Sequence, residues 1–367
     1  MKTTCLKNHL KEAVYLCEKI TGKNLSLPIL SNILISTNDR NLKLTATNLE
    51  IGIEVEIPAK IEKKGIAAVP ANILSSFISN ISNEDNITLE TKNNNLSVSI
   101  PNSSTLIKGQ KPDDFPILPK TNEKREIEIP IEDLIKGLKS VSYAVSFSNI
   151  KPEISSVFIY SEKNTPLIFV ATDSFRLAEK KFNYSFPDFK GILVPQRSVS
   201  EIIRIFDGRK GKAKLIFDKN QIFVVLDNIK FVSRLTEGVF PDYQQIIPKK
   251  FTTDVVIDKD LFSGNLKTAS VFSNKLNELY MAVGSKNGSI SIKTSNNEAG
   301  EHIANIPAKI TGEELKMTFN HKYIYDCLPH ISSEKILLRF SGEGKPLVIT
   351  STDDNSFQYI AMPMNMM

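Results

Sequence analysis

Leu6, Leu10, Ala13, Val14 and Cys17 recur at three- and four-residue spacing near the start of the chain, while Lys7, Lys11, Glu18 and Lys19 fall off that stripe. The spacing predicts an amphipathic helix. It returns as Leu134, Leu138, Val141 and Val145, with Lys136 and Lys139 off the stripe, and again as Leu261, Phe262, Leu266 and Ala269, with Lys267 opposite. After each helix the apolar period falls to two or the residues become β-branched. The segments "NILIST", "LKLTAT" and "IGIEVEI" are matched further on by "SVFIYS", "LIFVAT" and "RLAEKKF", which predicts successive strands. Second helices are expected over 71–81, 196–207 and 321–328. More strands follow, around turns such as "KNNN", "DKNQ" and "GEGK". The expected order is therefore helix, strands, helix, strands. Loops of hairpin length make neighbouring strands antiparallel, because a parallel pair needs a long crossover.

The pattern is a repeat. Ala46-Thr47-Asn48 reappears as Ala171-Thr172-Asp173, Val69-Pro70 as Val194-Pro195, and Phe115-Pro116 as Phe240-Pro241, each at an offset of 125 residues. A third, fainter copy places Thr294 where Thr172 stood and "MTFNHKYIYDCL" where the Val-Pro helix should follow. A period of this length is a whole domain rather than a solenoid repeat. The fold class expected is α+β, with three tandem copies of one domain made of antiparallel sheet and two helices. Polar stretches "PKTNEKRE" and "PKKFTTD" set the boundaries, giving domains over 1–121, 122–249 and 250–367.

Composition narrows the class. Of 367 residues, 41% are hydrophobic and 24% charged, enough core for three globular domains. Cys5, Cys17 and Cys327 are an odd number without metal-ligand spacing, and the start of the chain lacks a secretory pattern. No run approaches 18 apolar residues, so the expectation is a cytoplasmic protein with no membrane partner, no metal and no cofactor. The net charge of +5 suits a nucleic-acid partner without demanding one. His9, His302, His321 and His330 form no metal-ligand spacing, and neither a phosphate-binding loop nor a nucleophile elbow occurs. The best catalytic candidate is Asp173, Ser174 and Arg176 in "ATDSFRLA". Thr47-Asn48 occupies the same place in the first copy, so the cluster reads first as a turn. Two alternatives stay open from the residues: an enzyme using that cluster, and a tandem-domain scaffold that binds protein but no DNA.

The segments "LPILSNILI" (27–35), "ATDSFRLA" (171–178), "EGVFPDYQQIIP" (237–248), "FNHKYIYDCL" (319–328) and "IAMPMNMM" (360–367), in this order, resemble the bacterial sliding-clamp family, the β subunit of DNA polymerase III. The resemblance spans essentially the whole chain. It implies a head-to-tail homodimer, a ring of six domains around duplex DNA that serves as a processivity factor and performs no chemistry. DNA would be held topologically and without sequence preference. The other partners implied are the replicative polymerase catalytic subunit, the clamp loader and further proteins carrying a clamp-binding motif.

Diffuse positive charge suits sliding, because phosphate contacts carry no sequence information. The candidates are Lys7, Lys11, Lys136, Lys139, Lys267, Arg197, Arg204 and Lys322, to which the resemblance adds Lys23, Asn24 and Lys151. It also implies a partner-peptide groove between the second and third domains. The matching positions are Ile154, Thr172, Ser174, Phe175, Arg176, Leu177, Pro241, Gln245, Ile246, Asn320, Tyr323, Ile360, Met362, Pro363 and Met364. Phe175 stands where many relatives have His and Asn365 where they have Arg, which makes this groove more apolar and less charged. Thr105 and Ile107 would meet Val271 and Phe272 of a second chain.

Overall fold

The computed structural model describes residues 1–22, 27–82, 86–119, 125–148, 150–162, 166–184, 189–284 and 288–364. One order of elements runs through it three times. The first pass is β1 (Lys2–Leu6), α1 (Lys7–Ile20), β2 (Asn32–Thr37), β3 (Asn41–Thr47), β4 (Ile51–Lys63), β5 (Ile66–Pro70), α2 (Ala71–Asn80), β6 (Asn86–Lys92), β7 (Asn95–Ile100) and β8 (Ser103–Ile107). The second is β9 (Arg125–Pro130), α3 (Ile131–Val141), β10 (Ser156–Ser161), β11 (Leu167–Thr172), β12 (Arg176–Phe182), β13 (Phe189–Pro195), α4 (Gln196–Phe206), β14 (Lys212–Phe217), β15 (Gln221–Leu226) and β16 (Ile229–Arg234). The third is β17 (Thr253–Asp258), α5 (Lys259–Ser270), β18 (Glu278–Gly284), β19 (Ser289–Asn296), β20 (Gly300–Gly312), β21 (Leu315–Asn320), α6 (His321–Cys327), β22 (Lys335–Phe340), β23 (Leu347–Ser351) and β24 (Phe357–Ala361).

Each pass opens on a strand, not on the helix expected. Leu6 closes β1 and is exposed, so the α1 stripe begins at Leu10 and continues through Ala13, Val14 and Cys17, all buried. Leu261 is likewise exposed on α5, where Phe262, Leu266 and Ala269 form the buried face. Val145 is buried but lies beyond the end of α3. "REIEIP" and "TDVVID" alternate strictly and carry the missing strand signal in their own pattern. The second helices and the strands "NILIST", "SVFIYS", "LIFVAT" and "RLAEKKF" fall where the periodicity put them, give or take a residue.

Two compact units divide the chain, residues 1–134 with 200–235 and residues 135–199 with 236–367. Each holds one 12-stranded sheet, and the strand pairs are antiparallel throughout the described residues. The first unit's sheet runs β8-β7-β6-β1-β4-β16-β15-β14-β9, with β3, β2 and β5 continuing from β4. Where the first repeat meets the last strand of the second, Ile51–Val55 of β4 pair with Ser233–Ile229 of β16. Helices α1 and α2 pack on each other, and α1 covers β3 and β4.

The second unit's sheet runs β13-β10-β11-β12-β24-β23-β22-β17-β20-β19-β18-β21. Here Arg176–Lys180 of β12 pair with Ala361–Phe357 of β24, the same junction one repeat later. Helix α3 closes on this sheet at Gly137, where a Cβ would stand 2.8 Å from the Phe169 ring. Burial pushes the Cys5 thiol up to about 12, and Cys17 and Cys327 are raised for the same reason. These are packing residues rather than reactive thiols. Among the described residues no helix is long and apolar enough to cross a membrane.

Candidate functional site

The loop between β11 and β12 is built from Thr172, Asp173 and Arg176. Thr172 Oγ1 donates to Arg176 O at 2.7 Å, and Asp173 Oδ1 accepts from the backbone N–H groups of Phe175 (2.9 Å) and Arg176 (3.0 Å). Ser174 sits at φ +78° between them. The first repeat builds the same turn. Thr47 Oγ1 donates to Ile51 O at 2.8 Å, Asn48 Oδ1 accepts from Glu50 N (3.1 Å) and Ile51 N (2.8 Å), and Leu49 has φ +76°. Asp and Asn share this place because either side-chain oxygen can accept two successive backbone N–H groups.

Arg176 extends the turn into the third repeat. Its Nε donates to Asp173 Oδ2 at 2.9 Å, Nη1 to Asp326 Oδ2 at 2.7 Å and Nη2 to Tyr143 O at 2.7 Å. The guanidinium also lies 4.6 Å from the centre of the Tyr323 ring. Burial acts to discharge Arg176, but Tyr359, Asp326 and Asp173 outweigh it and the net shift is upward. Asp173 thus anchors the turn with both oxygens, and among the described residues no hydrogen bond joins it to the Ser174 hydroxyl, as a base and its nucleophile would need. The catalytic alternative finds no support in this geometry. Arg176→Ala strands Asp173, whose side chain is 14% exposed, and is expected to destabilise the protein by about 3 kcal/mol or more. Urea unfolding followed by circular dichroism checks it. Arg176→Lys should recover less than half of the loss, because a point charge cannot reproduce the fork.

After β24 the chain crosses from one strand edge to another. Met362 N donates to Phe175 O and Met364 N to Thr318 O, both at 2.8 Å. Pro363 between them has no donor to leave unpaired. The tail, the Phe175 turn and the start of α6 wall a cavity of about 1010 Å³. Six expected groove residues line it: Phe175, Asn320, Tyr323, Met362, Pro363 and Met364. Asn320 also caps α6, its Oδ1 accepting from Lys322 N at 3.0 Å. The other expected residues do not line this cavity. Leu177 and Ile360 are cross-strand partners within a buried cluster with Val170, Phe240 and Tyr243, while Ile154, Thr172 and Arg176 are buried. Ser174, Pro241, Gln245 and Ile246 are exposed outside it, and Gln245 donates to Asp242 at 2.7 Å.

Eight lining residues were missed: Asn274, Leu276, Glu278, Tyr280, Lys293, Thr294, Ser295 and Thr318. Glu278 and Tyr280 alternate with buried Leu279 and Met281, so an outward face was legible in "ELYMAV". Nothing in the alternation says that the C-terminal tail lies across it.

The proposed DNA-facing cations divide by exposure. Lys11, Lys136, Lys151, Arg197, Lys267 and Lys322 are exposed, while Lys7 and Lys139 are half-buried. Arg204 is half-buried, and its Nε donates to Glu201 at 2.7 Å within α4, three residues away. Lys23 and Asn24 lie outside the described residues.

Among the described residues, β8 and the first half of β20 lack the neighbour that the matching strands of the other repeats have. Within the described residues β8 pairs only with β7, and the first half of β20 pairs only with β19. In β4 and β12 the corresponding half is covered by β16 and β24. Beside these edges Leu106 is 55% exposed and Val271 68%, and Phe272 stacks on His302 with ring centres 6.0 Å apart. Ile107, expected at the same contact, is turned into the chain. It is 3% exposed and belongs to the chain's own core, because alternation turns Leu106 and not Ile107 outward.

Three copies of one α+β unit, joined in series through the β4–β16 and β12–β24 pairs, with an open edge on the first copy and another on the third, define a clamp-type tandem-domain fold. The family comparisons agree along the whole chain. Models described as the DNA polymerase III beta subunit match in order, the N-terminal domain over residues 1–119, the central domain over 128–242 and the C-terminal domain over 244–365. The chain belongs to the DNA polymerase III beta subunit family. It is 27% identical over 378 residues to the beta sliding clamp of Bacillus subtilis, covering 99% of each chain. It is 25% identical over 375 residues to that of Synechococcus elongatus, covering 100% of each. The crystal structure of the Bacillus subtilis DNA polymerase sliding clamp superposes with a TM-score of 0.95 at 26% identity over 100% of both chains. A Thermotoga maritima beta subunit at 24% identity shares the fold, with a TM-score of 0.92.

Proposed function

We infer that two copies of this chain close head to tail around duplex DNA and tether the replicative polymerase, as a processivity factor in the cytoplasm that uses no cofactor and catalyses no reaction. The observation that carries the dimer is the pair of open edges. The strand that ends each repeat, β16 or β24, lies on the long strand of the repeat before it. By the same rule β8 of one chain lies on the first half of β20 of another, adding a strand across the interface. Three domains over 1–121, 122–249 and 250–367 then give a six-domain ring. Polymerase catalytic subunit, clamp loader and other motif-bearing proteins dock through the groove at Phe175, Tyr323 and the Met362–Met364 tail.

Exposed lysines on helices of all three repeats supply diffuse attraction to phosphates, with no arrangement for reading bases. A ring is held by topology, so retention should depend on the shape of the DNA more than on its sequence. Protein loaded on nicked circular duplex is expected to stay bound through gel filtration, and linearising the circle with one cut should release nearly all of it. Affinity for short linear duplex should be weak and fall steeply with salt. Tight, sequence-selective binding to a short linear duplex would sink the proposal.

A further inference from the structure

The cavity beside the tail is larger than a two- or three-residue apolar motif requires, since whole drug-sized ligands occupy about 300–1000 Å³. Its second half is the outward face of β19, β18 and β21. Tyr280 lies at its centre, opposite Lys293 of β19 and Thr318 of β21, and Glu278 lies opposite Asn320. Lys293 is compensated by Glu301 at 2.7 Å. Glu278 is held by a neutral group, the side-chain amide of Asn274 at 2.5 Å, and among the described residues no cation comes within ion-pair distance of it. Lys275 and Lys322 are exposed nearby in sequence but do not line the cavity. The lining thus offers one carboxylate without an ion-pair partner among the described residues, in a cavity that two tyrosine rings, Tyr280 and Tyr323, also line. Tyr323 already carries a guanidinium against its ring, from Arg176.

We propose that this half of the cavity takes a lysine or arginine side chain from the partner segment flanking its docked apolar motif, and that Glu278 sets that preference. The inference rests on the docking reading above. A cation there gains a carboxylate and aromatic faces in a partly desolvated site, where both attractions exceed their value in open solvent. Lys293, the cation among the lining residues, is paired with Glu301 on the neighbouring strand rather than with Glu278. Partners that share the same apolar core would then be ranked by their flanking charge.

Calorimetry with the full-length protein and three peptides tests this. All carry a glutamine-leucine-phenylalanine core, flanked on both sides by serine, by arginine or by glutamate. The wild type is expected to bind the arginine peptide about 3- to 10-fold more tightly than the serine peptide, and the glutamate peptide least. Glu278→Gln should remove the arginine advantage and Glu278→Lys should invert it, each read as the ratio of arginine- to serine-peptide affinity within the same variant, so that a general change in the groove cancels. An arginine advantage that survives Glu278→Gln overturns the assignment. Should the serine peptide itself fail to bind the wild type, the docking reading falls, and this inference with it. Binding of the core with indifference to flanking charge removes the Glu278 assignment alone.

Discussion

Deleting residues 362–367 is expected to abolish binding of a glutamine-leucine-phenylalanine peptide while leaving the dimer intact. Met362, Pro363 and Met364 are three of the apolar walls of the cavity, and two of them are fixed by backbone hydrogen bonds, to Phe175 and to Thr318. Methionine suits a surface that must accept several partners, because its unbranched thioether repacks around different shapes. Burying two or three peptide side chains at about 1.5–3 kcal/mol each, less the cost of ordering the peptide, gives roughly micromolar affinity. Without the tail those side chains remain in water, and calorimetry should show no saturable heat. The truncated chain ends at Ala361, the last residue of β24, so the β12–β24 pairing that joins the second and third repeats keeps all its residues. Unchanged affinity in the truncated protein would place the docking site elsewhere.

Leu106→Asp is expected to turn the dimer into a folded monomer, with Phe272→Asp doing the same from the opposite edge. Either substitution puts an unpaired carboxylate into a contact that excludes water, at a cost of several kcal/mol, so the dimer dissociation constant should rise about 1000-fold or more. Sedimentation velocity distinguishes the two states directly. Ile107→Asp is the informative control. Its side chain is buried within the chain, so it should unfold the first repeat rather than yield a soluble monomer. A Leu106→Asp protein that still sediments as a dimer would refute the pairing of β8 with β20. Loss of the ring should also end retention on circular DNA, which links this result to the topological test.

Much of this was legible in the residues. The threefold repeat, the α+β class, the antiparallel strands and the second helix of each copy follow from spacing alone. The turn at Asp173 was readable because the first repeat places Asn48 at the same point, and an Asx side chain does the same local job in both. The opening strand of each repeat escaped notice because Lys2–Leu6 is short and runs straight into a helix, so its last apolar residue joined the helical stripe on paper. At the interface the resemblance supplied Thr105 and Ile107, and only burial showed that the outward residue between them is Leu106.

The groove was half visible. Its tail, its turn and the start of α6 were found as segments, but the floor of β18 and β19 was not, since "ELYMAV" and "SISIKT" read as ordinary half-buried strands. Arg176 was read as a groove residue, and the sequence did not show that it also joins Asp173, Tyr143 and Asp326, the last of them 150 positions away. By itself the sequence determined which stretches are helix and strand, that one domain occurs three times, and which turns its Asx residues close. Those are properties of neighbours three, four or two places apart, set by backbone geometry and local hydrogen bonding. Tertiary structure alone decided which strand edges stay open, which charges are compensated and what faces the tail across the cavity. Those depend on which residues meet through space, and strand alternation fixes the two faces of a strand without saying what lies against either one.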